Sequence, residues 1–156
     1  MYGYLMHHGV KGMKWGIRKY QNPDGTLTEA GKRRYSDAIS GKNVTLLKKK
    51  NKFGFYYDIY SKDKVGQAIV DNNKDGGVTL DWIGIKPSER RRGYGKESLD
   101  LIIKDSIKNG KKYISLEAAG LDPAALHMYK KAGFETIRRM DDNDIWNGLI
   151  EMRKKL

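Results

Sequence analysis

The segment RRRGYGK at residues 90–96 is the stretch whose residue types and spacing best suit chemistry. Residues 78–85 before it are rich in β-branched and aromatic side chains, which predicts a strand, and apolar residues recur at helical spacing from 99 to 107 after it. Glycine permits close backbone approach, and the first turn of a helix presents unpaired N–H groups and a positive dipole end. The segment therefore predicts a cradle for a pyrophosphate, with a solvated basic loop as the alternative.

Other kinds of reactive site are poorly supported. The segment is neither a Walker A loop nor a Rossmann glycine motif. The chain has no cysteine, which excludes disulfides, a cysteine nucleophile and thiolate metal sites, and fits a reducing compartment. His7 and His8 are adjacent, but no further ligand is spaced to complete a site, so we predict no bound metal.

Charge is distributed unevenly along the chain. The formal net charge is +12, of which residues 1–50 carry +8 and residues 51–156 carry +4. A basic arm indicates contact with an acidic partner or simply favours solubility, and nucleic acid is the weaker possibility because no recognised reading module accompanies the charge. We predict an arm at 1–40 and one domain at 41–156. No apolar run could span a membrane and no signal peptide is evident, so we expect a cytoplasmic protein without membrane contact.

The elements that must position the cradle can be read from periodicity and turn signals. Strands are predicted near 44–47, 53–59, 65–70, 78–85, 113–118, 134–138 and 148–153, helices at about 93–109 and 123–132, and a short helix within 26–35. An acidic loop is predicted at 141–144. The first strands form an antiparallel meander, and the two strands joined by the first long helix are most simply parallel neighbours, so the fold class is α+β.

Three motifs in this order resemble the GNAT superfamily of acetyl-CoA-dependent N-acetyltransferases. They are I-x-P from residue 85, R-x-x-G-x-G from residue 90 and A-x-x-M-Y-K-K-A-G-F-E from residue 125. The resemblance covers about residues 44–153. It implies a mixed sheet of six to seven strands with splayed central strands and helices on both faces.

The resemblance implies acetyl-CoA as the cofactor. The glycine loop would donate backbone N–H groups to the pyrophosphate, and the strand ending at Ile85 would pair with the pantetheine arm. The family often has an asparagine where this chain has Asp122, whose charge would be unfavourable near phosphates. The cofactor-binding residues implied are Ile83, Gly84, Ile85, Arg90, Arg91, Arg92, Gly93, Tyr94, Gly95, Lys96, Asp122, Ala125 and Tyr129.

The resemblance also suggests catalytic roles. Tyr129 matches the tyrosine that protonates the leaving thiolate, although it could instead be a core residue under the coenzyme. Where the family often has a basic carboxylate, this chain has Thr79, which cannot serve. Asp81 on the same strand and Glu117 on the next are the two candidate general bases, and the residues do not decide between them.

The implied function is acetyl transfer to a primary amine of a small molecule or protein by direct attack in a ternary complex. An acidic acceptor pocket would favour polyamines or aminoglycosides, and an open groove a lysine or a protein N-terminus. Residues 7–35 resemble a module of structural proteins in tailed phages and prophages of Gram-positive bacteria. The alternative is therefore a GNAT scaffold for phage assembly, tethered to a structural partner through residues 1–36 and associated with the virion. Monomer and homodimer both stay open.

Overall fold

The computed structural model divides the chain into a unit ending at Asp37 and a unit from Ala38 to Leu156. The structure describes Thr28, residues 38–140 and residues 148–156. Apart from Thr28, the predicted helix within 26–35, the phage-like segment at 7–35 and the acidic loop at 141–144 lie outside the described residues. So do His7 and His8.

Eight strands form one mixed sheet in the order β1-β2-β3-β4-β5-β6-β8-β7. They are β1 Ala38–Ser40, β2 Thr45–Lys50, β3 Gly54–Tyr60, β4 Lys64–Asn72, β5 Val78–Ile85, β6 Tyr113–Ala119, β7 Glu135–Arg139 and β8 Leu149–Lys155. The additional strand, compared with the six to seven expected, is β1. It has three residues, too few for a visible alternation, and it forms because a tight turn pairs it antiparallel to β2.

Among the described residues, two α-helices and one 3-10 helix follow the meander β1–β5. The 3-10 helix is Pro87–Glu89, and the α-helices are α1, Tyr94–Lys108, and α2, Pro123–Lys131. Pro123 opens α2 and Asp122 caps it, as its sequence predicts. No helix in the described part of the chain is long and apolar enough to cross a bilayer.

Both α-helices pack on one face of the sheet. Alternate residues of the central strands, such as Leu80, Leu116 and Met152, are buried there with the apolar side of α1. Right-handed crossovers explain the shared face, because β5-α1-β6 and β6-α2-β7 both advance across the sheet in the same direction. The prediction placed helices on both faces, but the opposite face carries none among the described residues.

The central strands splay apart, as expected. β5 and β6 are parallel and pair only from Val78↔Ile114 to Leu80↔Leu116. Beyond that point β5 continues against β4 as far as Ile85, while β6 continues against β8 as far as Ala119. This opening between β5 and β6, which we call the fork, leaves one backbone edge of each strand without a sheet partner among the described strands.

Candidate active site

The turn between β5 and α1 is held open by unusual backbone conformations. Arg91 has φ 65° and Gly93 has φ 80°, both in the left-handed region. A Cβ at Gly93 would meet no atom within 4 Å, so only its φ requires glycine. Gly95 does not have a positive φ. Its missing side chain instead leaves space beside Ile85 and Met128.

The same turn leaves a run of backbone donors free. The amide of Glu97 donates to the Gly93 carbonyl at 3.0 Å and closes the first helical turn, and the Arg90 amide donates to the Pro87 carbonyl at 3.4 Å. Within the described part of the chain, no acceptor takes the backbone N–H groups of residues 91–96. The Arg90 amide, predicted as part of the cradle, is therefore engaged internally. The following six amides form a concentration of donors at the positive end of α1.

A cavity of about 350 Å³ lies between this turn, the end of β5 and α2. It contains most of the predicted cofactor-binding residues and falls near the lower end of the usual range for ligand sites, about 300–1,000 Å³. The lining residues are Ile83, Ile85, Glu89, Arg90, Arg91, Gly93, Tyr94, Gly95, Lys96, Asp122, Ala124, Ala125, Met128 and Tyr129.

Two predicted cofactor-binding residues do not line the cavity, and three lining residues were missed. Gly84 lies against the indole of Trp82, and the Arg92 guanidinium pairs with Glu89 at 3.3 Å. The missed residues are Glu89, Ala124 and Met128. The helical spacing of Ala124 and Met128 with Ala125 and Tyr129 could have found two of them, because positions four apart share one face of α2.

The basic side chains at the cradle differ in whether they are already hydrogen-bonded or ion-paired. Arg90 Nε donates to the Ile85 carbonyl at 3.1 Å and so fixes the end of β5. Lys96 pairs with Asp100 at 3.0 Å on the exposed side of α1. Arg91 has no ion-pair partner among the residues the structure describes, and it lines the cavity. It is therefore the guanidinium best placed to pair with an incoming anion.

Tyr129 lies at the boundary of the cavity and the core. It is 9% exposed, and its ring packs edge-on against Phe134 with centroids 5.9 Å apart. Burial, and secondarily the negative charge of Asp122, raise the pKa of its hydroxyl above the ordinary value. Asp122 also accepts a hydrogen bond from the Ala125 amide at 2.9 Å, so one of its carboxylate oxygens is engaged in capping α2. Tyr129 therefore stays protonated, and it lines the cavity.

The two candidate bases stand on opposite sides of the fork. Asp81 follows Leu80 and Glu117 follows Leu116, the last pair before β5 and β6 separate, and both carboxylates are exposed. Glu117 alternates with buried residues of β6, so it lies on the face opposite the helices. Neither residue lines the cavity. The fork separates the two strands that carry these residues.

Thr79 and Asp71 complete this region. The Thr79 hydroxyl bonds Asn73 at 3.1 Å and Ser115 at 3.2 Å, which makes it part of the structural hydrogen bonding between β5 and β6. Asp71 on β4 pairs with Thr79 in the ladder, and the extra residue Asp81 lies next to this pair on β5. Although Asp81 as a whole is exposed, partial desolvation of its carboxyl group, then the neighbouring Asp71 and then the charge of Glu117 raise its pKa.

Asp71 was not predicted, since its contact depends on strand register and on a bulge. β4 pairs Ile69 with Trp82 but Val70 with Leu80, so Asp81 is the extra residue. Nothing local in the sequence marks this pairing. In the part of the chain that is described, no group of three or more potential ligands is arranged to hold a metal ion.

The family model of the acetyltransferase (GNAT) family matches residues 17–134. The chain belongs to that family. This acetyltransferase is therefore an acyltransferase by family, and the cradle and Tyr129 lie within the matched residues. A second model, of a family of unknown function (DUF7211), matches residues 2–22 of the acetyltransferase. A search among curated proteins gave no match.

Solved structures share the fold of this acetyltransferase at low sequence identity. A GNAT family acetyltransferase from Elizabethkingia anophelis, solved with acetyl-CoA bound, has a TM-score of 0.65 at 14% identity, covering 74% of this chain and all (100%) of that one. A GNAT-family protein of Chromobacterium violaceum has a TM-score of 0.66 at 11% identity, with coverages of 76% and 91%. An acetyltransferase from Bacillus cereus has 0.60 at 15%, with 67% and 79%. These similarities establish the fold.

Proposed function

We propose that this acetyltransferase uses acetyl-CoA to acetylate a primary amine by direct attack in a ternary complex. The observation that carries the proposal is the run of six amides at residues 91–96, which have no acceptor among the described residues and lie beside a cavity at the end of β5. The matched family and the acetyl-CoA bound to the Elizabethkingia anophelis protein support the same donor here.

The residues present fit this cofactor. The amides of residues 91–96 and Arg91 would hold its diphosphate. The edge of β5 near Ile83 and Ile85 has no strand partner among the described residues, although Arg90 bonds the Ile85 carbonyl, and it would hydrogen-bond the pantetheine arm as an added strand. Because Asp122 caps α2 with one oxygen, we place it at the cavity wall and not on a phosphate. Arg92 and Gly84 take no direct part in this proposal.

Acetyl-CoA, when bound, supplies an acyl group on a thioester, so that a C–N bond to the amine forms as the C–S bond breaks. Asp81 or Glu117 accepts a proton from the acceptor's ammonium group and passes it to water. Tyr129 donates its hydroxyl proton to the departing sulfur and recovers a proton from the nitrogen of the attacking amine. A raised pKa suits Tyr129 to this role, because the group stays protonated until the sulfur needs a proton.

Binding of acetyl-CoA to the full chain tests the proposal most directly. A ligand that binds only the folded state raises the melting temperature, and at about a hundred times Kd the gain is about 2.7 kcal/mol. We expect a clear rise with acetyl-CoA and none with acetate. We also expect thiol release when a primary amine is added. No shift at saturating acetyl-CoA would overturn the proposal.

The alternative is a GNAT scaffold that serves assembly of a phage particle through residues 1–36, with little catalysis. The threonine at position 79, where the family often has a carboxylate, favours it. It predicts that the full chain co-purifies with virions while acetyl-CoA turnover stays at the uncatalysed level. Turnover with an amine and a chain confined to the host cytoplasm would exclude it.

A further inference from the structure

The cradle segment, residues 91–96, has few bonds that would hold its own shape. Its backbone N–H groups find no acceptor among the described residues. Arg91 and Gly93 both have a positive φ, and for a residue with a side chain, such as Arg91, that conformation persists only where the surroundings enforce it. The geometry of these donors must therefore be held by the residues that flank them.

Each flank of the cradle makes a bond of this kind. On the β5 side, Arg90 Nε donates to the Ile85 carbonyl at 3.1 Å. On the α1 side, the Glu97 amide donates to the Gly93 carbonyl at 3.0 Å, so Glu97 closes the first helical turn. Glu97 does not line the cavity, and any part that it has in cofactor binding is through the backbone that it holds.

The Glu97 side chain binds the tight turn between β1 and β2, residues 41–44. Its carboxylate accepts hydrogen bonds from the Asn43 amide at 2.8 Å, from Asn43 Nδ2 at 2.9 Å and from the Val44 amide at 3.4 Å. The turn is itself closed by the Gly41 amide, which donates to the Val44 carbonyl at 2.8 Å. One carboxylate thus joins the first turn of α1 to a turn whose Asn43 lies 54 residues earlier in the chain.

The β1–β2 turn is shaped around this carboxylate. A Cβ at Gly41 would collide with Glu97 Oε1, so only glycine allows the close approach. Partial burial raises the pKa of the Glu97 carboxyl group, but the hydrogen bonds from residues 42–44 outweigh it and hold the pKa below its ordinary value. Glu97 therefore stays ionised, and its hydrogen bonds are of the stronger, charge-assisted kind.

The charge of Glu97 by itself does not favour the cofactor. It adds a negative charge one residue beyond the donors that would hold a diphosphate, and like charges repel. Asp100, in the next turn of α1, is also an acid, but it pairs with Lys96 at 3.0 Å on the exposed side of the helix. These two acids differ in what they contact, so the effects of charge and of position can be tested separately.

We propose that Glu97 is a positioning residue for the acyl donor. By binding the β1–β2 turn it fixes the first turn of α1, and with it the N–H groups of residues 91–96, in the arrangement that receives the diphosphate. Donors that are already in place spare the cofactor the cost of ordering them, which is how a residue outside the cavity contributes to affinity. The inference rests on the proposed function and adds a residue to it.

Calorimetry of the full chain with acetyl-CoA tests this inference. Glu97→Gln keeps the size of the side chain, but it sets an N–H donor against those of Asn43 and loses the charge that strengthens the remaining hydrogen bonds. We expect Kd for acetyl-CoA to rise about tenfold, since both the strength of these bonds and the order of the donors decrease. Thiol release with a primary amine should show kcat changed by less than about twofold, because Tyr129 keeps its place.

Two further variants separate position from charge and from folding. Asp100→Asn removes a negative charge from the same helix without touching the β1–β2 turn, so Kd should stay level or fall. Asn43→Ala removes the Nδ2 donor and leaves every charge in place, so Kd should rise about threefold. Combining Asn43→Ala with Glu97→Gln should raise Kd by less than the product of the separate effects, since the two groups share one contact.

The possible failures are distinguishable. Equal or tighter binding of acetyl-CoA by a Glu97→Gln chain that still melts cooperatively overturns the positioning role, and so does a fall in kcat with Kd unchanged. If Glu97→Gln does not fold, Asn43→Ala decides alone, and an unchanged Kd in that variant overturns the inference. If the unaltered chain binds no acetyl-CoA, the proposed function itself fails and this inference fails with it.

Discussion

Tyr129 lies between the cavity and the core, and its hydroxyl is the proton donor in the proposed reaction. Tyr129→Phe should lower kcat by about 100-fold, the lower range for loss of a general acid, because the ring still packs but no proton is available. Acetyl-CoA affinity should stay within about twofold by calorimetry, since the hydroxyl acts mainly in the transition state. Tyr113→Phe is the matched control, because its hydroxyl bonds Asp75 outside the cavity. Equal turnover in the two variants would remove Tyr129 from the mechanism.

The choice of general base can be made between Asp81 and Glu117. Partial burial, Asp71 and Glu117 raise the pKa of Asp81, and a base whose pKa lies closer to neutrality takes a proton more readily. We therefore expect Asp81→Asn to lower kcat/KM by about 100-fold and Glu117→Gln to cost less. The pH profile checks the assignment. The acidic limb should disappear in the variant that lacks the base, and its persistence in Asp81→Asn would transfer the role to Glu117.

The carboxyl group of Asp81 also affects how the stability of the protein depends on pH. An acid whose pKa is raised on folding favours the folded state at low pH and loses that advantage as pH rises through its folded pKa. Asp71→Asn removes the neighbouring charge, so the melting temperature should rise by a few degrees at pH 7 to 8. The gain should vanish below the ordinary aspartate pKa of about 3.9. A variant that is less stable at pH 7 would show that the carboxyl pair stabilises the sheet.

At the scale of elements, the two glycines in the turn from β5 into α1 are needed for different reasons. Gly93→Ala forces φ 80° on a residue with a side chain and should cost about 1 kcal/mol of unfolding free energy. Gly95→Ala should be nearly neutral for stability, because its Cβ would lie 3.7 Å from Ile85 and 3.9 Å from Met128, in ordinary contact. That methyl group would still narrow the cavity, so acetyl-CoA affinity should fall. Unchanged affinity in Gly95→Ala would contradict the placement of the cofactor.

The bulge and the fork also depend on how several strands pair with one another. Periodicity identified seven of the eight strands and both long helices, because alternation and helical spacing are local signals. The termination of β5–β6 pairing after Leu80 and Leu116 is not local. It depends on how β5 follows β4 and β6 follows β8, two pairings set by residues far away in the chain.

At the scale of the whole molecule, the described residues that line the cavity or flank the fork all belong to the unit Ala38–Leu156. Removal of residues 1–37 should therefore preserve the melting shift with acetyl-CoA and the release of thiol when an amine is added. Comparison of the two chains by thermal melting and thiol release checks this. Loss of the shift in a truncated chain that still melts cooperatively would assign the first unit a part in the site. The net charge of +12 also predicts weaker acetyl-CoA binding at high salt.

The sequence by itself determined the local parts of this protein. The motif around Gly93 and Gly95, the cap at Asp122 and the position of Tyr129 follow from turn chemistry and helical spacing, which act between residues a few positions apart. Only the tertiary structure decided that six amides find no acceptor among the described residues, that both helices share one face and that Asp71 lies across the ladder next to Asp81. The physical reason is that strand register and crossover direction bring distant residues together, and no local pattern encodes those distances.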